Sequence, residues 1–428
     1  MNKASKFIVI FVILILVGGG LYWYFFARPG SVPAAATSGS NPSTGFNPFG
    51  RNPTSSGNTP AGSVSTSNPS TSSTSTPASP IPVLRLLSDS PIGGYGVSTT
   101  GASTTMRWID RGRGNIYEAR EDSLDIKTIS NTLLPRVYSS VWNKDLTSFI
   151  ASILPEAPSV PATIYANILK QSIPAAASST AASSLTPYAL RGGNLPDGVI
   201  GYAISPNKDK VFFLIAENGG SSGYISSVTG ASMSKIFTTP LNELNVDWPA
   251  DNVITITTKG GADAPGYLYL VDPKTGVWKK AIGPLPGLSA KVSHDGKYAF
   301  ISVAGASDNI ITAIYNLQKG TNVDAVIRTL ADKCVWGNFY KSLLYCGVPA
   351  QPIAGTYPDD WYMGNISFTD KIWQVNADTG ELHLVSSIVD QSDRIIDAFN
   401  LGLDPKDNYL FFMNKNDLSF WSLDLVKQ

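Results

Sequence analysis

The chain has 428 residues with 32 basic and 32 acidic side chains, and only 15% of its residues are charged against about 25% in an ordinary soluble domain. A nucleic-acid partner is excluded by this balance, since phosphate binding needs a basic excess, and two His with two Cys exclude a zinc ribbon or a disulfide-dense scaffold. The zero net charge is an average over unlike segments: the first 82 residues hold Lys3, Lys6, Arg28 and Arg51 and no acid, leaving 28 bases against 32 acids in the remainder.

Phe7 to Phe26 is an uncharged apolar run about as long as a helix needs to cross a bilayer. Lys3 and Lys6 precede it, and Tyr22, Trp23 and Tyr24 cluster at its far end, where amphipathic rings favour the interface. The expectation is residues 1–6 in the cytoplasm, a signal-anchor helix over 7–26 and everything after it outside. The competing reading is a cleaved signal peptide, whose apolar core is normally about 7–15 residues. Residues 27–82, rich in Ser, Thr, Pro, Gly and Asn, cannot bury enough apolar surface to offset ordering, and predict a disordered linker.

From residue 83 to 428 short apolar runs alternate with Gly, Pro, Asn and Asp, as in VITITT (253–258), and predict an all-β domain. Two landmarks repeat. Turns begin at Trp142, Ser205, Trp248, Ser293, Trp336 and Asp404, spaced 63, 43, 45, 43 and 68 residues apart; aromatic strands end at Tyr117, Tyr165, Ser226, Tyr269, Tyr315, Trp373 and Trp421. A period of about 43–45 residues is that of a four-stranded propeller blade. Seven copies of the second landmark predict a seven-bladed β-propeller, with six or eight blades as alternatives. The last copy stops about three strands in, so IPVLRLLSD (81–89) is expected to complete the final blade and close the ring.

Ser293-His294-Asp295-Gly296-Lys297-Tyr298-Ala299-Phe300 resembles the turn-and-strand signature of TolB-like and WD-repeat-like propellers, with His in the place of the usual Pro. Ile204-Ser205-Pro206-Asn207 and Leu403-Asp404-Pro405-Lys406-Asp407 are looser versions, and the Trp-Asp dipeptide of true WD repeats is missing. The resemblance, similar also to membrane-anchored bacterial propellers, implies an architecture and carries no catalytic residue with it.

Chemistry-bearing motifs are few. Gly219-Gly220-Ser221-Ser222-Gly223 has the form of a nucleophile elbow but lies between strand-like runs, where a hairpin is expected. Asp272-Pro273-Lys274-Thr275-Gly276-Val277-Trp278 resembles the repeat of pyrroloquinoline-quinone propellers but is complete only once, so a structural turn is expected and no cofactor. His294 and His383 stand alone, and no metal site is expected. Cys334 and Cys346 either pair in an oxidising space or remain buried thiols.

Two longer intervals interrupt the period. One holds the small-residue stretch 172–193. The other, 348–365, brings Tyr357, Asp359, Asp360, Trp361 and Tyr362 together, and aromatic and acidic side chains on an inserted loop suit a binding surface. The expected function is a membrane-anchored, extracytoplasmic scaffold binding a protein or glycan of the cell envelope. The alternative is a glycan hydrolase or lyase with carboxylates in the propeller funnel.

Overall fold

The computed structural model describes residues 80–154, 161–171, 188–306 and 309–427. The expected anchor (7–26), nearly all of the linker and residues 172–187 lie outside these. Among the described residues no helix is long and apolar enough to cross a membrane.

Strand β1 (Leu84–Ser88) stands alone at the start. Blade 1 is β2 (Ile92–Thr100), β3 (Ser103–Asp110), β4 (Ile116–Arg120) and β5 (Ile126–Ser130); blade 2 is β6 (Val137–Trp142), β7 (Ser148–Ile153), β8 (Ala162–Lys170) and β9 (Tyr188–Asn194). Blade 3 is β10 (Val199–Ile204), β11 (Lys210–Glu217), β12 (Gly220–Ser227) and β13 (Ser234–Thr239); blade 4 is β14 (Leu244–Ala250), β15 (Val253–Thr258), β16 (Pro265–Val271) and β17 (Trp278–Pro286). Blade 5 is β18 (Ser289–Val292), β19 (Tyr298–Ala304), β20 (Ile310–Asn316) and β21 (Thr321–Asp324). Blade 6 is β22 (Cys334–Trp336), β23 (Leu343–Pro349), β24 (Asp370–Asn376) and β25 (Leu382–Ser386), with the one-turn helix α1 (Asp359–Met363) between β23 and β24 and α2 (Ile388–Gln391) after β25. Blade 7 is β26 (Ala398–Leu403), β27 (Tyr409–Asn414) and β28 (Phe420–Asp424).

Each blade is an antiparallel four-stranded meander, and β1 pairs with β28 as the fourth strand of blade 7. The domain is a seven-bladed β-propeller. First strands meet across blades (β2 with β6, β6 with β10, β10 with β14, β18 with β22, β22 with β26), so they ring the central channel. The second strands of blades 2 to 7 are buried on both faces over most of their length, as in Phe411 and Phe412 of β27, so they read as continuous apolar runs.

The first turn landmark marks hairpins between first and second strands, and in most of them a side-chain oxygen brackets the loop. Ser293 Oγ accepts the Tyr298 amide at 2.9 Å, Asn143 Oδ1 accepts those of Thr147 and Ser148 at 2.8 and 3.0 Å, and Asp404 Oδ1 accepts those of Asn408 and Tyr409 at 2.6 and 2.7 Å. The aromatic landmark falls on the third chain strand of every blade, β4 through β28. Blade 1 lacks the turn landmark because Gly101 and Ala102 join β2 to β3 directly.

Two tempting motifs are structural. Ser221 is buried in β12, its hydroxyl donating to Leu241 O at 2.6 Å. Asp272 Oδ1 accepts the amides of Lys274 and Thr275, and Trp278 sets its ring edge-on to Phe237 of blade 3 at 4.9 Å. Gly276, at φ +70°, lies so near Ile236 O that a Cβ would sit 2.0 Å from it. Cys334 and Cys346 face each other across β22 and β23 and form a disulfide with Cα atoms 4.1 Å apart.

Leu87 of β1, 1% exposed, packs in the cluster that includes Ile92, Trp108, Phe411 and Phe420. Leu87→Ala is expected to cost about 2–5 kcal/mol in urea unfolding, while Val426→Ala on the exposed tail stays within about 0.5 kcal/mol. A Leu87→Ala loss as small as the control's would show that β1 does not hold the seventh blade.

Candidate functional site

The hairpin turns lie on one face of the ring; the loops between second and third strands and the connectors between blades lie on the other. On this connector face the segment 350–369, between β23 and β24, is bound to its surroundings. Asp359 Oδ2 accepts the Ala262 amide of blade 4 at 2.8 Å. Asp360 caps its own loop, accepting the Thr356 amide at 2.7 Å and Asn365 Nδ2 at 3.1 Å. Tyr357 and Trp361 are buried, with Tyr357 stacked on Phe368 at 6.0 Å. Tyr362, 44% exposed, donates its hydroxyl to Asp332 Oδ2 at 2.7 Å. The five residues expected to suit a binding surface thus reach separate anchors that fasten the segment down, while Tyr362 and the neighbouring Met363 stay exposed.

The strongest anchor is absent from the sequence expectations. Lys333, in the 3₁₀ turn Ala331–Lys333, is fully buried and donates to Asp370 Oδ2 at 2.7 Å, to Asp397 Oδ1 and to Ala398 O at 3.0 Å. Asp397 Oδ2 accepts Trp361 Nε1 at 2.9 Å and the Phe368 amide at 3.1 Å, tying the inserted segment to the same centre. The Lys333 ammonium also lies 5.5 and 5.1 Å from the Trp361 and Phe368 rings, within reach of their π faces. Two carboxylates share one ammonium, and Asp370 Oδ1 has no hydrogen-bond partner. Burial pushes the Asp370 carboxyl up to about 6, with Lys333 opposing and Asp397 adding to the rise. The sequence signal was a charge set inside an apolar run in LADKCVW (330–336), FTDKIW (368–373) and IIDAF (395–399).

Beside this centre the segment walls a groove of about 710 Å³ between blades 5 and 6. Ile310, Ile327, Val348, Ile353, Phe368 and Trp373 supply much of its lining, Tyr357 closes one side, and two cations, Arg328 and Lys371, are the only charges in it among the described residues. Arg328 is neutralised by a two-pronged pair with Asp324 at 2.8 and 2.9 Å. Among the described residues the lining contains no carboxylate, histidine or cysteine.

The channel holds a second polar feature. Asp247 of β14 and Lys291 of β18 pair at 2.8 Å with 41% and 37% of their side chains still reached by water. Burial pushes the Asp247 carboxyl up, but the Lys291 charge and hydrogen bond and the Trp248 amide more than offset it and hold it below the usual range. His294 bonds Pro249 O through Nδ1 at 3.2 Å, and His383 is exposed on β25, each apart from the other. Among the described residues no group of three or more His, Cys, Asp or Glu is placed to hold a metal ion.

No family model matches the chain, and no curated protein does. Among solved structures it is similar to TolB from Acinetobacter baumannii, with 12% identity over 73% of this chain and a TM-score of 0.38; the match spans only 60% of TolB. It is also similar to an oligogalacturonate lyase in complex with manganese, with 10% identity, 75% of this chain, 85% of that one and a TM-score of 0.46. A third is the β-propeller domain of the Trilobed protease from Pyrococcus furiosus, with 11% identity, 77% and 94% coverage and a TM-score of 0.47. The likeness is one of fold.

Because the folded-state value of Asp370 is raised above its ordinary 3.8, its protonated form favours the fold. That stabilisation is fully present below about pH 4 and is lost as pH rises through 6, by about 3 kcal/mol in all. The stability difference between wild type and Asp370→Asn should follow this curve in urea unfolding from pH 4 to 7.5. The opposing slope from His294, whose pKa burial lowers, is common to both proteins and cancels. A difference independent of pH would refute the assignment.

Proposed function

We propose that this chain is a membrane-anchored, extracytoplasmic binding module that engages an envelope protein or glycan through the connector face at blades 5 and 6. The observation that carries the reading is the groove itself: about 710 Å³ of largely apolar lining, within the size range of ligand sites, walled by a segment held in place before any ligand arrives. Exposed Ile311, Val326, Ile353 and Leu382 around it form the kind of contiguous apolar surface that marks an interaction site. The charge-free run 7–26 and the Ser/Thr/Pro-rich stretch after it support anchoring and tethering, and the Cys334–Cys346 disulfide suits an oxidising compartment.

The alternative, a glycan hydrolase or lyase acting in the funnel, would draw on carboxylates such as Asp247. Paired with Lys291 and held ionised, Asp247 is poorly suited to donate a proton to a leaving group, and among the described residues the groove offers no pair of acids.

A photo-crosslinking amino acid at Ile353 should yield a discrete adduct in intact cells, whereas the same probe at Val277, on the hairpin face and 65% exposed, should not. Adducts of equal yield at both positions, or none at Ile353, would count against this face as the binding surface.

A further inference from the structure

We infer that the blade 5–blade 6 groove takes a short apolar peptide segment bearing a carboxylate, with its acid on Lys371. The inference rests on the binding-module reading and specifies the partner's chemistry.

Charge is the first observation. Of the two cations in the groove, Arg328 already has both prongs on Asp324, while Lys371 has no carboxylate partner among the described residues. Lys371 lies two residues before Trp373 on β24, so the two side chains share one face of the strand and both line the groove. It is half-buried, and a cation in a largely apolar lining is less well hydrated than one on open surface, which strengthens its pull on an incoming anion.

The described lining favours a peptide over the other ligand classes. A glycan would bring hydroxyls to a wall whose polar side chains are few, chiefly Asn309, Arg328 and Lys371, and each hydroxyl left unpaired there is penalised. A single acyl chain would leave one flank in water, because the groove is open along the side where Ile311, Val326 and Leu382 are exposed. A peptide fills both needs, placing alternate side chains against the wall and the rest outward.

The test is fluorescence anisotropy with the full-length protein and a fluorescein-labelled apolar pentapeptide carrying one central glutamate, beside its glutamine counterpart. The glutamate peptide should bind about tenfold more tightly than the glutamine peptide, Lys371→Gln should abolish that preference while leaving the glutamine peptide's affinity unchanged, and Ile353→Asp should weaken both peptides about tenfold or more. Unchanged melting temperatures in both variants confirm that they fold. Equal affinities for the two peptides in wild type, a preference that survives Lys371→Gln, or binding of sodium laurate with no binding of either peptide would overturn the inference. A crosslink at Ile353 without peptide binding would leave the binding-module reading standing and remove only this one.

Discussion

One buried ammonium group organises the connector face. Lys333 comes from the connector between blades 5 and 6, Asp370 from the start of β24, and Asp397 from the residue before β26, so three separate stretches of chain meet at Nζ. Burying three charges is costly, and apolar replacements of matched shape often serve stability as well or better. What the charges supply is assignment. Asp397 Oδ2 receives Trp361 Nε1 and the Phe368 amide, and Asp370 Oδ2 receives the Ala398 amide at 2.6 Å, so each donor has one place to go. Phe368 is part of the groove wall, and the wall's position therefore follows from that of Lys333.

The two faces of the ring divide the work. The hairpin face is repetitive, built from short loops closed by a Ser, Asn or Asp oxygen on amides four or five residues ahead. The connector face is where the blades differ, carrying the inserted segment, both cations of the groove and the buried charge centre. At the Trp336 turn the bracket comes from the next blade instead: Asp407 accepts the amides of Asn338, Phe339 and Tyr340 at 2.8, 3.0 and 2.9 Å. The repeated face thereby also binds blade 6 to blade 7.

This division explains what could be read from the chain alone. Hairpin brackets and third-strand aromatics are local features, legible at a spacing of 43–45 residues, and they carried the number of blades and the closing role of β1. Blade 1 escaped the turn pattern because a Gly101-Ala102 turn needs no side-chain bracket. The loop at 357–362 was legible as unusual, but its anchors were not, because its partners Ala262, Asp332 and Asp397 are 30 to 97 residues away. Lys333 was harder still: its two carboxylates lie 37 and 64 residues on, and a lone lysine beside a cysteine reads as a surface residue until the strands are placed. The groove belongs to no single segment, since its walls come from blades 5 and 6 and the insertion between β23 and β24.

The pairing of β1 with β28 has a consequence for how the protein is made. Within the propeller β1 leaves the ribosome before every other strand and its partner after them, and at roughly 5–20 residues per second the intervening chain of about 330 residues takes some 20–70 s to synthesise. Throughout that interval the growing stack is an open arc with an unpaired strand at one end and an incomplete blade at the other. Closure then occurs in one late step, when Leu84 meets Leu423 and the Asp424 amide reaches Val83 O at 2.9 Å. Until that step β1 must be kept from pairing elsewhere, and its brevity, five residues with Arg85 among them, limits such mispairing.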